Sequence, residues 1–141
     1  MGSADKWNEM VERLSELELP VEKPRLQQTL LVYHYFSEME SGGHESVCNW
    51  LESYIKETGI DFFVAELSLA LEQISATNYA ELIQFYFMPI WQAYEALEKD
   101  ETVEDAFIEV VEAADERYYQ IGTLAQLLEV HYLRHEEELF G

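Results

Sequence analysis

Apolar residues recur along this chain at steps of three and four, and that spacing predicts helix after helix. Residues 4 to 18 place Trp7, Met10, Val11, Leu14 and Leu17 on one face, with Glu9, Glu12 and Glu16 between them, until Pro20 ends the pattern. A second run starts at Pro24, a residue suited to a first helical turn, and carries Leu26, Leu30, Tyr33 and Phe36 or Ser37 to about Glu40. Gly42 and Gly43 interrupt it. A third run from about Glu45 presents Val47, Leu51, Tyr54 and Ile55, and stops at Thr58-Gly59.

Further on, Asp61 stands where it would cap a helix through Phe63, Leu67, Ala70, Leu71 and Ile74. Thr77 or Asn78 would cap the next, through Leu82, Ile83 and Tyr86. Pro89 is expected to kink or divide that helix, because proline lacks the backbone donor and crowds the preceding turn. Residues 82 to 91, "LIQFYFMPIW", are apolar almost all round, which suits a central buried helix or a subunit interface. "TVED", Thr102 to Asp105, resembles a capping box and opens a run through Phe107, Val110, Ala114 and Tyr118. After Gly122, the residues Leu124, Leu127, Leu128, His131 and Tyr132 mark a last helix. No strand alternation, long-period repeat or low-complexity linker interrupts this pattern. The expected fold is all-α, a single-domain bundle of about seven or eight helices spanning residues 1–141.

Composition agrees with a packed core: 141 residues are 48% hydrophobic, enough to bury one without disulfides or metals. Charge changes the picture. There are 29 acidic against 8 basic residues, a formal net charge of -21, so DNA, RNA and anionic membranes would be repelled. The expected partners are cationic surfaces. A single cysteine, Cys48, outside any CxxC or Cys/His spacing, is expected to be a half-buried neighbour of Trp50 and not a nucleophile, and fits a reducing cytoplasm. The start "MGSADKWNEM" lacks the apolar stretch of a secretion signal, and Lys6 stands where a myristoylation pattern wants Ser or Thr. "LIQFYFMPIW" is too short to span a bilayer.

Candidate chemistry is sparse. The glycine pair lacks any phosphate-loop signature and is flanked by Glu40 and Glu45, of the wrong sign for phosphate, so its expected role is to turn the chain, with Gly42 in the left-handed helix-ending position. His131 and His135, at i and i+4, would reach one metal. The glutamate of an HExxH motif is missing at Tyr132, and no histidine follows a Glu-x-x spacing, so no metal or cofactor is expected. No nucleophile constellation stands out, and an enzyme is not expected. The aromatic stretch "FYFMPIWQAY", residues 85 to 94, reads as core with room for a homodimer contact.

The acids themselves are patterned. Residues 94 to 116 hold ten acids and one base, Lys99. If 101 to 118 is helical, Glu101, Asp105, Glu109, Glu112 and Glu116 fall on one face, a stripe roughly 22 Å long at about 1.5 Å per residue. With Glu98 and Asp115 they form the candidate partner-binding set. Duplex DNA carries a charge about every 1.7 Å of its axis, so one helix is too sparse to imitate it, whereas a dimer or several acidic helices approach that density. Solubility alone is the competing account of the acids.

The stretch "EMESGGHESVCNWLES", followed by Gly59 and "FFVAELSLALEQI", resembles a segment of a family of small bacterial all-helical proteins, in which a helix ends in an Asn-Gly-Gly-Phe-like motif. "FIEVVEAADERYYQI" and "LAQLLEVHYLRHEEELF" are similar to that family's closing pattern. The resemblance runs from about residue 26 to the end. Ser41 replaces the motif asparagine, His44 its phenylalanine, and Cys48-Asn49-Trp50 departs from its aromatic pair. The family's characterised members are DNA mimics, acidic helical homodimers that occupy the DNA-binding face of a transcription factor. The resemblance implies a non-catalytic protein that inhibits a basic DNA-binding protein. The alternatives are an immunity or antitoxin-like protein that neutralises a basic toxin, and an acidic helical domain with another role.

Overall fold

The computed structural model describes residues 3–141, and the lipidation reading at Met1 and Gly2 lies outside that range. Six α-helices follow one another: α1 (Ser3–Ser15), α2 (Pro24–Thr58), α3 (Ile60–Gln73), α4 (Thr77–Leu97), α5 (Glu104–Ile121) and α6 (Leu124–Phe140), with a short 3-10 turn at Glu101–Val103 before α5. The architecture is all-helical, as the periodicity predicts. The count is six where seven or eight were expected, for two reasons.

The first lies in α2, which continues through the glycine pair as one bent element although neither glycine has helical backbone angles. Gly42 is extended at φ -166°, and it is Gly43, not Gly42, that takes positive φ, at 73°. Two contacts show how sharply the helix bends there. The Tyr35 hydroxyl lies 2.7 Å from His44 Nε2, nine residues on, and Gln27 Nε2 donates to the Tyr54 hydroxyl at 2.9 Å. In a straight helix those pairs would stand roughly 13 and 40 Å apart, so α2 doubles back as two arms, residues 24–41 and 44–58.

The second reason is that Pro89 does not divide α4. Both Pro89 and Phe85, whose carbonyl the missing N–H would have bonded, are exposed. The freed carbonyl is therefore on the water side, where solvent replaces the lost bond. The rest of "FYFMPIWQAY" is mostly core: Phe87, Ile90 and Trp91 are buried, while Phe85 is 72% exposed.

Packing follows the chain, with α3 against α4, α4 against α5, and α2 against α3, α5 and α6; α1 closes on α6 and α2. The core joins Tyr35, Phe63, Phe87, Tyr79 and Tyr132 with Met10, Leu14 and Leu67. Cys48 is fully buried within it, and burial pushes its thiol up to about 12. That removes it from thiolate chemistry.

Candidate protein-binding surface

On α5 the buried residues are Phe107, Val111, Ala114 and Tyr118. Asp105, Glu109, Glu112 and Glu116 occupy the opposite side of the helix and are all exposed. At 100° per residue the two sets lie about half a turn apart, so the acids stand where core packing leaves them free. None of the ion pairs among the described residues involves any of these four. They are an uncompensated line of charge.

The remaining three candidates sit differently. Glu101 lies in the 3-10 turn ahead of α5, exposed and near the stripe's upper end. That turn is held by Asp100, whose carboxylate accepts from Thr102 N at 2.9 Å and Thr102 Oγ1 at 2.6 Å; the cap is Asp100 and not the Thr102 of the expected box. These bonds hold the Asp100 carboxyl below its usual range. Glu98, just past α4, is exposed and pairs with Lys56 of α2 at 3.8 Å. Its charge is shared with a cation.

Asp115 leaves the stripe altogether. It is half-buried, and its Oδ1 accepts from His44 N at 2.9 Å and from His44 Nδ1 at 2.7 Å. The His44 ring is fully buried, bracketed by Asp115 on one nitrogen and Tyr35 on the other. A Cβ on Gly43 would collide with the same carboxylate. Asp115 therefore fastens α5 to the bend of α2, which is a structural duty. Spacing alone gave no sign of it, because the partner is 71 residues away; the one available hint was that His44 follows the glycine pair directly.

The histidines of α6 are also occupied. Thr29 Oγ1 spends its single proton on the Arg25 carbonyl at 2.8 Å, so at 3.0 Å it must accept from His131 Nε2. Burial first, and then the neighbouring His135, push the His131 pKa down to about 4. His135 Nδ1 faces Glu138 at 3.4 Å. Among the described residues no group of three or more His, Cys, Asp or Glu side chains is placed to hold a metal ion, and no helix is long and apolar enough to cross a membrane.

No curated protein and no solved structure shows significant similarity to the chain. A family model described as DMP19-like protein matches residues 22–136, which includes the α2 bend, the α5 stripe and most of α6. With four-fifths of its length inside that match, the chain belongs to the DMP19-like family, the DNA mimics that its glycine segment and closing helices resemble, and its role is non-catalytic.

Proposed function

We propose that this protein inhibits a basic DNA-binding protein by presenting the outer face of α5 in place of duplex phosphates. The observation that carries the reading is the line Asp105, Glu109, Glu112 and Glu116: exposed, unpaired and directly opposite the buried face of α5. Glu101 extends it at one end, and Glu98 flanks it, paired with Lys56. Such a line attracts Lys and Arg side chains over a Debye length and steers association.

One α5 is too sparse to imitate a duplex, and of the ways to raise the density a homodimer, which doubles the number of such lines, is the one we adopt. Phe62, Leu69 and Phe85 are exposed on α3 and α4, at 56%, 50% and 72%, and supply an apolar surface for pairing two copies. Phe85→Asp should then convert a dimer to a monomer in analytical ultracentrifugation; a sedimentation coefficient unchanged by it would remove this face from the account.

The test of the stripe is the combined reversal Asp105→Lys, Glu109→Lys and Glu112→Lys. Because these side chains are exposed and hold nothing else, helicity by circular dichroism should persist while capture of the DNA-binding partner is lost. Capture that survives the triple reversal would reject this face.

A further inference from the structure

The doubled-back α2 creates a second feature that the stripe does not use. A cleft of about 500 Å³ opens between its two arms and the segment that leads from α1 into α2, a size typical of ligand pockets. On the second arm, Trp50, Tyr54 and Glu57 follow at i, i+4 and i+7, so they share one face. Trp50 is 73% exposed, the highest among the large hydrophobic side chains. Across from it the first arm supplies Tyr33 and Glu38, and the incoming segment supplies Glu18.

Neither Lys nor Arg lines the cleft. The nearby bases are committed elsewhere: Lys56 to Glu52 and Glu98, and Lys23 towards the Leu139 carbonyl. His34 is the one basic side chain in the wall. Its Nε2 donates to the Leu17 carbonyl at 3.1 Å, and burial lowers its pKa, so it adds no positive charge near neutral pH. The cleft thus combines three carboxylates with an exposed indole and holds no internal counter-charge.

We infer that this cleft is a binding site for a guanidinium group, an arginine side chain of the basic partner, with Trp50 as the stacking surface and Glu18 and Glu57 as the acceptors. The inference rests on the proposed function for the partner's identity, though not for the chemistry of the site. Arginine fits better than lysine because its planar, weakly hydrated head stacks on an aromatic face while its N–H groups fork to carboxylates. Glu38 is a poorer acceptor, since its Oε1 already takes the Ser46 hydroxyl at 2.8 Å.

The test uses the whole protein in 0.15 M salt with the probe acetyl-Arg-Arg-Arg-amide, followed through the indole N–H resonance of Trp50 in an ¹⁵N-labelled sample. The expected result is a saturable shift at Trp50, with affinity at least threefold weaker for the matching lysine peptide. Glu18→Gln with Glu57→Gln should weaken arginine binding at least fivefold, and the α5 triple reversal less than twofold. Shifts confined to α5, no saturation at Trp50, indifference to the Glu18/Glu57 change, or equal binding of the two peptides would each overturn the assignment. The two readings fail separately: a peptide that ignores the cleft leaves the α5 account standing, and partner capture that survives the triple reversal rejects α5 while leaving the cleft.

Discussion

Asp105 and Asp115 sit on the same helix with the same charge, yet one is spent on water and the other on the fold. Replacing Asp115 with Ala leaves the buried His44 ring and its backbone N–H without their acceptor, which should cost about 1–3 kcal/mol in urea unfolding. Asp105→Ala should stay within about 0.5 kcal/mol. Equal effects would mean that Asp115 does not fasten the bend. His131 makes a prediction of its own. Its folded pKa, near 4, lies below the unfolded value of about 6.5, so its contribution is fully present above pH 6.5 and is lost progressively as pH falls towards 4. His131→Gln, which keeps a donor for Thr29, should flatten that part of the stability profile relative to the parent. An unchanged slope would assign the acid sensitivity to other groups.

At the scale of elements, the glycine pair is the decisive local feature. Gly43 combines a φ of 73° with an approach to Asp115 that no Cβ would allow. Gly43→Ala should destabilise the protein by more than the roughly 1 kcal/mol that a helix-interior Gly and Ala usually differ by, and with the opposite sign. A melting temperature equal to or above that of the parent would show that the bend tolerates a side chain. The all-helical pattern was legible because it depends on local periodicity: α1, α3, α5 and α6 begin and end within a few residues of where apolar spacing and Gly or Pro put them. What was not legible depends on neighbours distant in sequence. The continuity of α4 past Pro89 and the capture of Asp115 by His44 are each settled by which side of a helix meets solvent or another helix, whereas the turn at the glycine pair was expected and only its placement, with positive φ at Gly43 and not Gly42, was not. The acidic line was visible as spacing, and only packing could tell that Asp115 falls off its edge. The cleft around Trp50 could not be read at all, since the arms that form it come together through the bend.

For the whole molecule, a formal charge of -21 surrounds a core of buried aromatic and aliphatic side chains, and the family match places that charge in a DNA-mimic context. Charge alone would serve solubility equally well, so the two accounts divide on whether a partner treats this surface as nucleic acid. Immobilised protein exposed to bacterial lysate, then challenged with duplex DNA and separately with rising salt, tests this most directly. The account predicts a retained DNA-binding protein that duplex displaces and that salt releases along a linear log–log dependence, as for phosphate contacts. A specifically retained partner that ignores saturating duplex would contradict mimicry and favour neutralisation of a basic toxin.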